Sequence, residues 1–101
     1  MSETYTSFRE FYPFYLSEHR NRTCRRMHFA GSAIGIACVA MAIATANAWF
    51  ILFGLVLGYG LAWAGHFFFE KNRPTTFRYP VYSFVGDWAM FRDILMRRIE
   101  F

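Results

Sequence analysis

The stretch FAGSAIGIACVAMAIATANAWFILFGLVLGYGLAWAG, from Phe29 to Gly65, decides the fold of this chain. It runs for 37 residues without an Asp, Glu, Lys or Arg, and a histidine stands at each end, His28 and His66. One crossing of a bilayer takes about 20 apolar residues, so this stretch is long enough for two crossings joined by a very short loop. The apolar run is interrupted at Asn47, which predicts the turn of a helical hairpin.

The positions of the two histidines follow from that turn. His28 lies 19 residues before Asn47 and His66 lies 19 residues after it. In an antiparallel hairpin, residues equally far from the turn reach the same depth, so both imidazoles are expected at the same membrane face. Neutral imidazole is the commonest protein ligand for metal ions. The stretch therefore predicts a metal site at the open end of the hairpin.

The composition is typical of a small membrane protein. Of the 101 residues, 55% are hydrophobic, 22% aromatic and 18% charged, whereas soluble domains carry about 25% charged residues. Residues 1–28 contain five Arg and three Glu, and residues 70–101 contain six basic and four acidic groups. Both flanks are therefore net positive while the turn is uncharged, which places both termini in the cytoplasm by the positive-inside rule. No nucleic-acid motif accompanies the positive charge, so nucleic acid is excluded as a partner.

The pattern predicts one all-α integral membrane domain over residues 1–101. Two transmembrane helices, over 23–46 and 48–69, form the hairpin. An interfacial amphipathic helix is expected on each side of it, over 5–22 and 83–99. The last helix carries five charges between Asp87 and Arg98, which makes it too polar to span a bilayer.

Small residues form a seam on each predicted transmembrane helix. They are Gly31, Gly35, Cys38 and Ala42 on the first helix, and Gly54, Gly58, Ala62 and Gly65 on the second. Small residues let two membrane helices approach closely, so we expect the seams to face each other within the hairpin. The G-x-x-x-G spacing also occurs in dimers, which leaves a homo-oligomer open.

Each interfacial helix has a predicted apolar face. On the first helix the face comprises Phe8, Phe11, Tyr12, Tyr15, Leu16 and His19. On the last helix it comprises Phe84, Trp88, Phe91 and Leu95. Periodicity of this kind indicates an amphipathic helix that buries the apolar side. Ser83 or Asp87 is expected to cap the last helix, and for Asp87 the cap is favoured over a role as a metal ligand.

All three histidines of the chain are expected at one membrane face. His19 and His28 are nine residues apart, so on one unbroken helix they would point in opposite directions. A break at residues 20–23, with Thr23 capping the next helix, would let them converge with His66. Glu70, four residues after His66, is expected on nearly the same face, either as a fourth ligand or as the group that orients His66. The alternative for each histidine is a hydrogen bond to a headgroup or to backbone.

Several segments of the chain resemble a small membrane-protein family. They are FYPFYLSEHRN at 11–21, RMHFAG at 26–31, Gly65-His66-x3-Glu70-x3-Pro74, and the run from Pro80 to Asp87. Over about residues 8–95 the chain is similar to the 2-hydroxy fatty acid dioxygenases that turn phytosphingosine into odd-numbered fatty acids. The resemblance implies an Fe(II)-dependent enzyme. In it a 2-hydroxy fatty acid reacts with O2, loses its carboxyl carbon as CO2 and becomes one carbon shorter.

The resemblance also implies which residues form the site. Carried over by position, the iron ligands would be His19, His28, His66 and Glu70, with the three histidines essential for catalysis. Histidine and carboxylate ligands suit Fe(II) with open positions for O2 and substrate. The substrate would keep its alkyl chain in the bilayer. Its carboxylate is expected to pair with one of four arginines, Arg22, Arg25, Arg26 and Arg73.

Two other functions remain open at this stage. One is a non-catalytic membrane module that forms a homo-oligomer or binds a partner protein through its small-residue seams. The other is a metal-dependent lipid hydrolase or hydroxylase that uses the same ligands. Iron content distinguishes the dioxygenase from the module, and the product formed from 2-hydroxypalmitate distinguishes it from the hydrolase.

Overall fold

The computed structural model describes residues 5–101 and, within them, contains helices and no strands. Residues 1–4 of the predicted domain lie outside this range. Helix α1 spans Phe8–Ser17, α2 spans Arg22–Thr45, α3 spans Trp49–Ala64 and α4 spans Pro80–Leu95. Helix α3 continues directly into a π-helical segment, Gly65–Glu70, and a short 3-10 helix, Thr75–Phe77, precedes α4.

Helices α2 and α3 form the predicted hairpin. Ala46 ends α2 in the left-handed conformation, with a φ of 53°, and the Asn47 side chain accepts a hydrogen bond from the Trp49 N–H at 3.0 Å. This connection reverses the chain within three residues, at the position that the sequence predicted. Two helical stretches, Arg22–Thr45 and Trp49–Glu70, are long and apolar enough to cross a membrane.

The small-residue seams bring the two long helices into close contact. A Cβ atom added to Gly31 would lie 3.0 Å from the carbonyl oxygen of Gly58. A Cβ atom added to Gly54 would lie 2.8 Å from the Cβ of Cys38. Neither position has room for a side chain, which confirms that the seams face each other. The seams are thus in direct contact at Gly31 and Gly54.

The helix is interrupted between α1 and α2, which is the interruption that convergence of His19 and His28 requires. Helix α1 ends at Ser17, earlier than the predicted range of 5–22, and α2 begins at Arg22. The N-cap is Asn21, whose side chain accepts the Cys24 N–H at 3.1 Å. The prediction of Thr23 as the cap was wrong, because Asn21 supplies the acceptor two residues earlier.

Helices α1 and α4 pack against each other beside the open end of the hairpin. Their buried contact consists of Phe11, Tyr15, Met90 and Ile94. Helix α4 begins at Pro80, earlier than predicted, because proline is well suited to the first turn of a helix. The predicted cap by Ser83 was therefore wrong: Ser83 is buried, and its hydroxyl donates to Thr75 Oγ1 at 2.8 Å.

Candidate metal centre

Three separate elements bring the histidines together. His19 lies in the connection between α1 and α2, His28 lies in α2, and His66 lies in the π-helical segment. They are 1%, 6% and 1% exposed, respectively. Their ring centroids are 4.4 Å apart for His19 and His28, 4.5 Å for His19 and His66, and 4.9 Å for His28 and His66. The predicted convergence of the three imidazoles is confirmed.

Each imidazole uses its Nδ1 atom in a hydrogen bond to an oxygen that can only accept. The pairs are His19 with the Tyr15 carbonyl at 2.6 Å, His28 with Asp87 Oδ1 at 2.9 Å, and His66 with Asn72 Oδ1 at 2.6 Å. A backbone carbonyl, a carboxylate oxygen and an amide oxygen act as acceptors. In the metal-binding tautomer of each ring the proton therefore lies on Nδ1, and Nε2 keeps its lone pair.

Ring nitrogens of the three histidines lie close enough together to share one ion. One ligand atom from each histidine lies within 4.8 Å of the other two. Among the described residues, Nε2 of His19 and Nε2 of His28 are the buried side-chain polar atoms without a hydrogen-bond partner. Buried polar atoms are costly to leave unpaired. A metal ion bound by the three imidazoles would satisfy them, so the donor set fits a cation.

The surroundings of His19 keep it in the neutral form that binds metal. Burial lowers the pKa of His19 well below its ordinary value of 6.5, and the neighbouring His28 and His66 lower it further. Burial and the Asp87 carboxylate together raise the pKa of Tyr15 well above its ordinary value. Tyr15 therefore stays protonated and donates its hydroxyl hydrogen.

Asp87 joins three helices at the centre. Its Oδ1 atom accepts both the Tyr15 hydroxyl of α1 and the His28 Nδ1–H of α2. The sequence interpretation of Asp87 as a helix cap was wrong, since it lies in the middle of α4. A signal was present, because Asp87 is the one charged residue in the twelve-residue run from Pro80 to Phe91.

Glu70 is not among the side chains whose ligand atoms meet at the histidine cluster. Its Oε1 atom accepts the backbone N–H of Asn21 at 2.7 Å. The prediction assumed α-helical geometry after His66, but this segment is a π-helix, whose i→i+5 bonds change the faces that residues share. Asn72 has the orienting role predicted for Glu70, and its own amide group is fixed by donating to the Glu18 carbonyl at 3.1 Å.

The four arginines predicted to bind the substrate carboxylate contact other groups or are exposed to solvent. Arg25 donates to the backbone carbonyls of His19 and Arg20. Arg26 stacks over the Phe101 ring at 4.8 Å, and Arg22 lies 3.7 Å from Glu100. Arg73 is exposed in the loop after the π-helix. None of the four lines the cavity that reaches His28.

That cavity lies between α2, α3 and α4 and has a volume of about 400 Å³. His28 and Asp87 lie at one end of it, and the rest of its wall is almost entirely apolar. His19 and His66 do not line the cavity. A ligand in the cavity would therefore reach the histidine cluster from the side of His28.

Comparison with known proteins supports the resemblance drawn from the motifs. A family model described as 2-hydroxy-palmitic acid dioxygenase Mpo1-like matches residues 5–99. The match includes all four helices and all three histidines. No curated protein and no solved structure matches the chain.

Proposed function

Because the chain belongs to the Mpo1-like family of 2-hydroxy-palmitic acid dioxygenases, we propose that it is an Fe(II)-dependent enzyme that shortens 2-hydroxy fatty acids by one carbon. The supporting observation is the convergence of three buried imidazoles whose Nδ1 atoms are all occupied by acceptors. Imidazole suits iron, and three protein ligands leave positions open for O2 and substrate.

The proposed reaction needs only the 2-hydroxy acid and O2 for its atoms and electrons to balance. R–CH(OH)–COOH and O2 give R–COOH, CO2 and H2O. The bond between the carboxyl carbon and C2 breaks, and C2 becomes the carboxyl carbon of the shorter acid. The electrons that these two carbons lose are the electrons that O2 gains, so no separate reductant is needed.

The chain's own residues would hold and shield the reacting groups. Bound Fe(II) would supply O2 activation and a chelation site for the substrate's carboxylate and hydroxyl oxygens. His19, His28 and His66 are the proposed ligands, and the Asp87 carboxylate keeps the His28 ring in the ligating tautomer. The buried Tyr15 ring stacks on the His19 ring at 4.1 Å and would exclude water from the α1 side of the cluster.

We further propose that the hairpin spans a membrane with both chain ends in the cytoplasm. Large apolar side chains on the hairpin surface support insertion, among them Ile43, Trp49, Phe53 and Val56, each more than half exposed. Exposed apolar surface of this extent is unusual for a soluble monomer. The arginines at the open end would attract anionic lipids and free fatty acids.

The alternative functions gain less support. The small-residue seams that suggested an oligomeric module contact each other between α2 and α3 at Gly31 and Gly54. A hydrolase remains a chemical alternative, because three histidines also form catalytic zinc sites. The identity of the metal and of the product separates these functions.

The test uses the purified full chain in lipid nanodiscs, loaded anaerobically with Fe(II). With 2-hydroxypalmitate and O2 we expect pentadecanoate and CO2 in equal amounts, and one O2 consumed per product. His19→Ala, His28→Ala and His66→Ala should each lose bound iron and activity, because three ligands leave none to spare. Asn47→Ala, at the far turn, is the control. Iron-loaded protein that forms no shortened acid would contradict the dioxygenase, and full iron in His19→Ala would contradict the three-histidine site.

A further inference from the structure

The apolar cavity begins at His28, one member of the histidine cluster, and continues along the hairpin. Its polar end is formed by His28 and Asp87, and its far end by Val39 and Ile51. His28 and Val39 are eleven residues apart on α2, which corresponds to about 16 Å at a rise of about 1.5 Å per residue. The cavity is therefore a long groove with one polar end.

Gly35 keeps the middle of this groove open. A Cβ atom added there would meet only the far edge of the Trp88 ring, at 3.9 Å. Gly31 and Gly54 differ, because a Cβ at either one would press into the facing helix. The seam thus contains glycines that permit helix contact and one glycine whose missing side chain leaves space in the groove.

Helix α4 supplies the opposite wall with Phe84 and Trp88. These rings belong to the apolar stripe predicted for the last interfacial helix, and they are 46% and 36% exposed. Both line the groove. An apolar ligand in the groove would cover both rings, which would account for their exposure.

We propose that this groove binds the acyl chain of the 2-hydroxy fatty acid and that its length limits the length of that chain. The inference rests on the proposed function. A 2-hydroxy acid has a small polar end that fits the cluster and one alkyl tail that fits an apolar groove. Because the groove meets the cluster beside His28, the tail in the groove fixes the carboxylate and C2 at the metal position.

The shape of the polar end favours a free fatty acid over a phospholipid of the bilayer. The cluster is closed on the α1 side by Tyr15, whose almost fully buried ring stacks on the His19 ring at 4.1 Å. A phospholipid with a tail in this groove would have to accommodate its bulky headgroup and second tail against that ring. A single-chain acid carries neither.

Gly35→Leu and Gly60→Leu form a matched pair for the test. Position 35 projects into the groove about two turns from His28, whereas a Cβ at Gly60 meets nothing within 4 Å and Gly60 does not line the groove. We expect Gly35→Leu to lower kcat/KM for 2-hydroxypalmitate by about tenfold or more, since displaced methylenes lose apolar burial. Turnover of 2-hydroxyoctanoate and bound iron should be kept. Gly60→Leu should retain the wild-type preference.

Val39→Phe is the second variant, at a position that already carries a side chain. It narrows the far end of the groove, so activity should fall more for 2-hydroxystearate than for 2-hydroxylaurate. An unchanged chain-length preference in both Gly35→Leu and Val39→Phe, with iron still bound, would overturn the inference.

A binding readout that needs no turnover uses 2-hydroxypalmitate with a diazirine on its terminal carbon. After irradiation, the label should lie on Val39 or Ile51, and Gly35→Leu but not Gly60→Leu should abolish it. Label confined to outer residues such as Phe53 and Val56, or displaced by added phospholipid, would overturn the groove. Groove labelling without turnover would contradict the dioxygenase alone, and turnover with an unchanged preference would contradict the groove alone.

Discussion

Histidine binds a metal through the ring nitrogen that carries no proton, so the acceptors behind the ring matter as much as the ring. Here a backbone carbonyl, a carboxylate and a side-chain amide each fix one imidazole. Groups in this position orient metal-binding histidines and tune their basicity. Asp87 is the only charged member of the three, and it also accepts the Tyr15 hydroxyl.

We predict that Asp87→Asn weakens Fe(II) binding by about 10–100-fold, since the His28 ring loses the carboxylate that orients it. Titration of the metal-free protein with Fe(II) or Co(II) measures the effect. Asp93→Asn is the matched control, because Asp93 is a second carboxylate of α4 but accepts its hydrogen bonds from Tyr12 and Arg92. Equal losses of metal affinity in both variants would contradict a specific role for Asp87.

Substitutions of Glu70 can show whether this acid is a metal ligand or a structural hydrogen-bond acceptor. Its carboxylate accepts the Asn21 N–H where α2 begins. We predict that Glu70→Gln, which keeps an acceptor oxygen, leaves Fe(II) affinity essentially unchanged. Glu70→Ala should instead reduce stability by about 1 kcal/mol, because the Asn21 N–H loses its partner. Loss of metal in Glu70→Gln with the fold intact would restore Glu70 as a ligand.

At the scale of the elements, the contact between α2 and α3 predicts different effects of a Gly→Ala substitution at two positions of the seam. Gly31→Ala should destabilise the hairpin by about 1–3 kcal/mol, because its Cβ would lie 3.0 Å from the rigid backbone of Gly58. Gly35→Ala should be close to neutral, since its Cβ has ordinary contact distance to Trp88. Helicity followed during titration with sodium dodecyl sulfate measures both. Equal destabilisation would mean that the helices are not closest at Gly31.

The sequence predicted the hairpin and the histidine cluster because both depend on spacing along α-helices. Residues equally far from Asn47 had to meet, and a break after His19 was needed for convergence. The buried face of α4 was not predictable in this way. In a protein exposed to lipid, large apolar residues such as Phe84 can face outward while Ser83 and Gly86 pack inside, so an apolar stripe does not identify the buried side.

The π-helical segment had no comparable signal. Its effect is large, because it changes the face on which Glu70 lies and brings Asn72 to His66. π-Helical turns within α-helices frequently occur at functional sites. The residue that orients His66 therefore became apparent only from the three-dimensional arrangement.

At the scale of the whole molecule, the three histidines and Asp87 lie at the open end of the hairpin, far from the Asn47 turn. The ends of α2 and of the π-helix meet there through Asn21 and Glu70, and α1 and α4 pack beside them. A fatty acid in a bilayer has its carboxylate at the interface and its tail inside. The proposed centre and groove have the same order, which would let the substrate enter from the membrane.

This arrangement predicts a single membrane orientation. Basic residues flank the hairpin at its open end and the Asn47 turn has no charge, so both chain ends should face the cytoplasm. In a chain whose two native cysteines are replaced by alanine, we introduce Thr6→Cys, Met96→Cys or Asn47→Cys one at a time. A membrane-impermeant maleimide should label positions 6 and 96 in inverted vesicles and position 47 in right-side-out vesicles, with detergent-solubilised protein as the control for reactivity. Labelling of positions 6 and 96 from opposite sides would contradict the hairpin topology, because the two ends would then be separated by an odd number of crossings.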